Sequence, residues 1–106
     1  MPLLHDRFPA LQETLPHVSL GHGPTRVRRL SAIAGAEVWC KEEGRYGGPY
    51  GGNKVRKLEW VLADARRRGS KTVLTIGALG TNHGLATAIY ARELGLEAAV
   101  ALVDQP

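Results

Sequence analysis

"NKVRKLEWVLADARRRGSKTVLTIGALGTNHGLATAIYARELGLEAAVALV", residues 53–103, passes from a helical rhythm to a strand and then repeats the change. Val55, Leu58, Leu62 and Ala65 recur at steps of three and four, so they share one face of a helix over 53–69. Asn53 can cap that helix and Gly69 can end it. "KTVLTI" (71–76) is a short apolar run and predicts a buried strand; "GALGT" (77–81) predicts a turn. "NHGLATAIYAREL" (82–94) predicts a second helix closed by Gly95, and "EAAVALV" (97–103) another strand. Helix, strand, helix, strand implies parallel strands joined by right-handed helical crossovers, hence an α/β fold with a layered parallel sheet.

Working outward, "EVWCKE" (37–42) suggests a short strand and "RYGGPYGG" (45–52) a loop. Before it, prolines and glycines punctuate the chain as far as "SLGHGPTRVRRLS" (19–31). The chain therefore divides into an N-terminal arm and loop, 1–36, and a partial α/β domain, 37–106. Trp39 and Trp60 are expected as core anchors, with Tyr46 and Tyr50 packing the loop. Cys40 is alone, which permits no internal disulfide and no Cys-rich metal site, and it reads as a small buried strand residue. His5, His17 and His22 have no ligand spacing with acids; they read as surface or loop residues, and no metal is expected.

Composition narrows the function. A chain of 106 residues, 43% hydrophobic and 23% charged, suits one compact domain. No apolar run reaches the ~18 residues of a membrane span, so no membrane partner is expected. Asp6, Glu13 and prolines at 2, 9 and 16 fit neither a secretory nor a transit peptide, which makes the cytoplasm the expected compartment. The net charge of +4 raises nucleic acid as a partner through "RVRR" (26–29), "KVRK" (54–57) and "RRR" (66–68). Arg66, Arg67 and Arg68 nevertheless stand at a helix end, where cations complement the dipole, and zinc-finger or RNP-like spacing is missing. No nucleic-acid partner is expected.

In open α/β sheets, ligands bind beyond the carboxyl ends of the strands, where helix N-termini offer free N–H groups. "GGNK" (51–54) and "GALGTNHG" (77–84) should meet that rim. A dinucleotide site fits poorly, because Gly77, Gly80 and Gly84 are not spaced Gly-x-Gly-x-x-Gly. Asp104 also stands 27 residues beyond Gly77, against the ~20 of a ribose-binding acid. A nucleotide-binding α/β module stays as a minor alternative.

The run "GGNKVRKLEWVLADARRRGSKTVLTIGALGTNHGLATAIYARELGL" (51–96) resembles the pyridoxal-phosphate enzymes of the aminocyclopropane-carboxylate deaminase and D-cysteine desulfhydrase family, of fold type II. The resemblance extends from about Gly21, through "GPTRVRRLS", to Val103. Its specific part is "GGNKxRKLE", and the resemblance implies that Lys54 is the Schiff-base lysine of a pyridoxal 5'-phosphate cofactor, with Asn53 beside it. It also implies that Asn82 hydrogen-bonds the cofactor's ring hydroxyl and that Thr81 offers a hydroxyl and an N–H to the substrate carboxylate. Either side chain could instead cap the helix. Where the family usually has Gln-Ser-Asn, this chain has Gly80, Thr81 and Asn82, which bears on substrate identity. His83 is similar to the desulfhydrase branch and joins the expected substrate-binding set.

A lysine that attacks an aldehyde must do so as a free amine, so a partly desolvated, cationic neighbourhood is expected around Lys54. Arg56 and Lys57 are the nearest cations in sequence, although helical geometry turns them away. The glycines before Lys54 would let backbone approach the cofactor without Cβ interference. After transfer of the cofactor to substrate, the freed Lys54 amine could move the α-proton. The family's glycine-rich phosphate loop and pocket tyrosines have no counterpart here, and its members are roughly three times as long, as two-domain enzymes are. The expectation is the N-terminal portion of a lyase or deaminase acting on a small amino acid, inactive alone and homo-oligomeric in full length. A non-catalytic remnant that kept the fold is the alternative.

Overall fold

The computed structural model of the chain describes residues 2–105. In order they form α1 (Leu3–Arg7), α2 (Leu11–Thr14), β1 (Val27–Arg29), β2 (Trp39–Lys41), a 3-10 turn (Glu43–Arg45), α3 (Asn53–Arg67), β3 (Thr72–Ala78), α4 (Asn82–Glu93) and β4 (Glu97–Val103).

The C-terminal half follows the sequence rhythm. α3 buries Val55, Leu58, Glu59, Leu62 and Ala63, and α4 buries Gly84, Ala86, Thr87, Tyr90 and Ala91. Both helices stop on a left-handed glycine, Gly69 at φ 72° and Gly95 at φ 76°. Ser70 N–H then reaches back to Ala65 O (3.0 Å) and Leu96 N–H to Ala91 O (2.9 Å), so exposed carbonyls at each helix end are satisfied. β3 and β4 pair in parallel, from Thr72 opposite Glu97 to Ala78 opposite Val103, and α4 forms the crossover between them. The core joins Tyr46, Val55, Leu58, Leu62, Ala86, Tyr90, Ala91 and Leu96.

Several expectations need correction. Asn53 does not cap α3: it is the first helical residue, Gly52 precedes it at φ 133°, and no side-chain oxygen closes that end. Such a φ belongs to glycine, so the chain enters the helix by backbone geometry instead of an Asx cap. β3 is not buried on both faces, because α4 covers one face and leaves Leu74 (70% exposed) and Ile76 (66%) open on the other. β2 does not join the parallel pair; it pairs antiparallel with β1, inside the stretch expected as an arm. A tight turn joins Ile33 to Ala36, with Ala34 at φ 50° and Gly35 at φ 77°, the left-handed pair of a type I′ hairpin. Trp39 lies on that hairpin at 57% exposure and anchors nothing, whereas Cys40 is half-buried.

The first part of the arm is tied to α3. His5 is buried, correcting its reading as a surface residue, and its Nε2 lies 2.8 Å from Leu15 O. The His5 and His17 rings meet the half-buried Trp60 edge-on, at centroid distances of 5.2 and 4.6 Å. Val18 N–H donates to the main-chain carbonyl of Glu59 at 3.0 Å, which lays the arm along the helix.

Candidate active site

α3 leads into β3, and β3 into α4, through short connections, and the two helices pack side by side. α4 packs on both β3 and β4, α3 packs on α4, and α4 opens beyond the carboxyl end of β3. Asn53 and Lys54 occupy the first turn of α3; Thr81, Asn82 and His83 open α4. No hydrogen bond or ion pair joins the two predicted groups among the described residues.

Lys54 is half-buried. Among the described residues its ammonium group has no ion-pair or hydrogen-bond partner, whereas Lys41 and Arg56 are both engaged with Glu43. The cationic neighbourhood expected from Arg56 is not there. Arg56 lies over the Tyr46 ring at 3.7 Å, and its hydrogen bond, followed by those of Lys41 and Thr25, holds the Glu43 carboxyl well below the usual range. Lys57 is exposed. Other cations are similarly matched, with Arg28 on Glu42 at 2.8 Å and Arg67 and Arg68 on Asp64 at 2.6 Å each.

Thr81 is the N-cap of α4, its Oγ1 accepting from Gly84 N–H at 3.2 Å. A Cβ at Gly77 would meet the Thr81 side chain at 2.5–2.7 Å, and one at Gly84 would meet Thr81 Cγ2 at 2.6 Å. The two glycines thus seat Thr81. Asn82 is exposed and does not cap, His83 is half-buried, and the N–H groups of both are unpaired in the first turn, as at any helix start.

Two of the glycines ahead of Lys54, Gly47 and Gly51, are required by the chain's own packing, whereas a Cβ at Gly48 or Gly52 would meet open space. A Cβ at Gly47 (φ 114°) would strike Tyr50 O and lie 2.5 Å from Tyr90 Oη, and one at Gly51 would strike Gly44 O. Their freedom serves the chain's own loop packing first. Tyr46 and Tyr50 pack that loop as expected, both against the core.

Two residues escaped sequence reasoning. Glu59, 3% exposed, accepts from Tyr46 O–H at 2.5 Å and Leu20 N–H at 2.9 Å, with His17 Nε2 at 3.3 Å. Burial, then the bond to Glu59, pushes the Tyr46 phenol up to about 12. Tyr90, fully buried, accepts from Gly48 N–H at 3.0 Å and donates to Tyr50 O at 2.5 Å. A cavity of about 880 Å³ between arm and α3 is lined by His17, Lys41, Tyr46, Arg56, Glu59 and Trp60, and by none of the rim residues. Lys41 and Arg56 are paired with Glu43, and Tyr46 and His17 with Glu59, so the candidate chemistry stays at the rim.

The pattern of residues 18–105 matches the family described as pyridoxal-phosphate dependent enzyme. The chain belongs to that family. A putative 1-aminocyclopropane-1-carboxylate deaminase of Pyrococcus abyssi is 40% identical over 93% of this chain and 31% of its own length. A D-cysteine desulfhydrase of Salmonella paratyphi B is 42% identical over 100% of this chain, again 31% of its own length. A crystal structure of an ACC deaminase homologue superposes with a TM-score of 0.80 at 40% identity, over 88% of this chain and 30% of that one. The chain thus spans about 31% of the curated relatives it matches. No helix among the described residues is long and apolar enough to cross a membrane.

The rim suits the carbonyl and ring of pyridoxal phosphate, since it offers an unpaired lysine amine, an exposed amide and unpaired helix-start N–H groups. A glycine-rich phosphate cradle is not among the described residues.

Proposed function

We propose that this chain is the cofactor-carrying N-terminal portion of a pyridoxal-phosphate-dependent lyase or deaminase, acting on a small amino acid of the D-cysteine or aminocyclopropane-carboxylate type. The observation that carries the reading is Lys54, half-buried and unpaired on the first turn of α3, directly after the glycine-shaped entrance at Gly52. The relatives' names supply the substrate class.

When bound, the cofactor supplies an electron sink for charge developing at the substrate's α-carbon. Lys54 would then have two tasks: it would hold the cofactor covalently, and its released amine would move a substrate proton, the α-proton for a D-cysteine-type substrate, whereas aminocyclopropane carboxylate carries no proton on its α-carbon. Thr81 can do two things at once, because its oxygen accepts from Gly84 N–H while its own proton remains free for a substrate carboxylate. Asn82, with Asn53 near Lys54, offers an amide to the cofactor ring. The unpaired N–H groups of Asn82 and His83 favour an anion through the positive end of α4. His83 contacts substrate, and its presence favours the desulfhydrase type. In this reading the 106 residues are inactive alone, and the full enzyme is a cytoplasmic homo-oligomer.

In a full-length enzyme carrying this segment, Lys54→Ala abolishes ammonia release from D-cysteine and from aminocyclopropane carboxylate. Normal turnover with alanine at 54 would overturn the assignment.

A further inference from the structure

The loop that delivers Lys54 is held from the side by a residue outside the predicted site. Tyr90 lies in the third turn of α4, fully buried, with its ring in the core beside Val55 and Leu58. Its hydroxyl is the only part that does not pack. That oxygen accepts from Gly48 N–H at 3.0 Å, and its proton goes to Tyr50 O at 2.5 Å, so one phenol satisfies a donor and an acceptor two residues apart. The loop closes on itself immediately afterwards: Gly52 N–H donates to Tyr46 O at 2.9 Å, and Gly52 O accepts from Val55 N–H at 3.2 Å as α3 begins. Gly47, at φ 114°, is the point where backbone must pass beside the phenol, since a Cβ there would lie 2.5 Å from Tyr90 Oη. From Tyr90 to Gly48 and Tyr50, from Tyr50 to Gly52, and from Gly52 to the first turn of α3, each link is a short one.

We propose that Tyr90 is a positioning residue for Lys54: its hydroxyl clamps the glycine loop and thereby fixes the direction in which the first turn of α3 presents the lysine amine. The proposal rests on the reading of Lys54 as the cofactor lysine, but the clamp acts on the bare chain. A flexible glycine ramp would present the amine in many directions, and holding a reacting group in one geometry is a large part of catalytic advantage. Tyr90 touches no substrate, cofactor or reacting atom in this scheme.

Tyr90→Phe removes the clamp while leaving the ring in the core. In the unaltered chain the Gly48 amide should be protected from hydrogen exchange. In Tyr90→Phe its exchange should quicken by roughly two- to tenfold, the factor equivalent to one net hydrogen bond. Labelling by a small amine-modifying reagent should then change at Lys54 by about twofold or more relative to Lys57, the exposed lysine one turn away, whose own rate stays constant. A purely structural role for Tyr90 would lower stability without moving that native-state ratio. Gly47→Ala forces the loop away from an intact Tyr90 and should give the same signature, which keeps the test alive should the phenylalanine variant not fold. Free-peptide exchange at Gly48 in the unaltered chain would overturn the clamp whatever the variants do. An unchanged Lys54 to Lys57 ratio in the folded variants would overturn the positioning role. If pyridoxal phosphate is not trapped at Lys54 in the unaltered chain, the functional reading fails, while exchange and the amine-reagent ratio still decide the clamp.

Discussion

Replacing Glu59 with alanine should be among the most damaging single changes available in this chain. Its carboxylate is 3% exposed and takes three contacts, from the Tyr46 hydroxyl, the Leu20 amide and His17 Nε2. Removing it leaves the 6%-exposed Tyr46 and the Leu20 N–H without acceptors. Each bond to a charged acceptor is worth roughly 1.5–3 kcal/mol, and stranding buried donors brings the sum to about 3–5 kcal/mol. That is a large fraction of the ~5–15 kcal/mol that holds a domain of this size together. With a urea slope of about 1–2 kcal/mol per molar, the unfolding midpoint should fall by roughly 1.5–5 M. Glu59→Gln keeps one acceptor oxygen and should lose about 1–2 kcal/mol. Urea denaturation followed by tryptophan fluorescence reads both, since Trp60 lies beside the network. A midpoint shift below about 0.5 M for Glu59→Ala would mean that the arm and loop are not held through this carboxylate.

Three further outcomes are expected. Tyr46 is pushed from 10.0 up to about 12 by burial and by Glu59, so the folded state keeps a proton that the unfolded state gives up. Its contribution is intact below pH 10 and is lost as pH rises through about 12, costing roughly 2–3 kcal/mol that Tyr46→Phe should not show; parallel stability profiles of the two proteins in alkali would contradict this. Ala34 holds a φ of 50° in the hairpin turn, a strain that asparagine tolerates, and Ala34→Asn should raise stability by about 0.5–1 kcal/mol in the same urea assay. Leu62 is fully buried and Val61 is 61% exposed, so Leu62→Ala should cost about 2–5 kcal/mol and Val61→Ala about 0.5 or less. Equal losses would mean that α3 presents a different face.

The helices and the parallel pair were legible because their signals are local. Val55, Leu58 and Leu62 mark one stripe, and Gly69 and Gly95 stop the chain where they were expected to. Glu59 escaped although it stands one step from Leu58 and three from Leu62, on the buried stripe, because a lone acid in a motif reads as a solvated surface group. What could not be read depends on partners distant in sequence. The β1–β2 pairing joins segments of three residues each, rich in charge, and its turn at Ala34–Gly35 lacks the asparagine that usually signals such a hairpin. His5 and His17 look like loop residues until Trp60 is brought against them. The openness of Leu74 and Ile76 is a fact about what covers a sheet face, which periodicity within the strand does not contain. At the site, Lys54, Asn82 and Thr81 were found as a motif, while the means of holding them, Tyr90 above and Gly77 and Gly84 around Thr81, required coordinates.

Borohydride reduction of the chain with pyridoxal phosphate, followed by peptide mapping, tests the assignment of Lys54 most directly. The reduced cofactor should be found on Lys54 in clear preference to Lys41, Lys57 and Lys71, and Lys54→Ala should remove that peptide without increasing labelling elsewhere. Labelling spread over the four lysines in proportion to their exposure would contradict it.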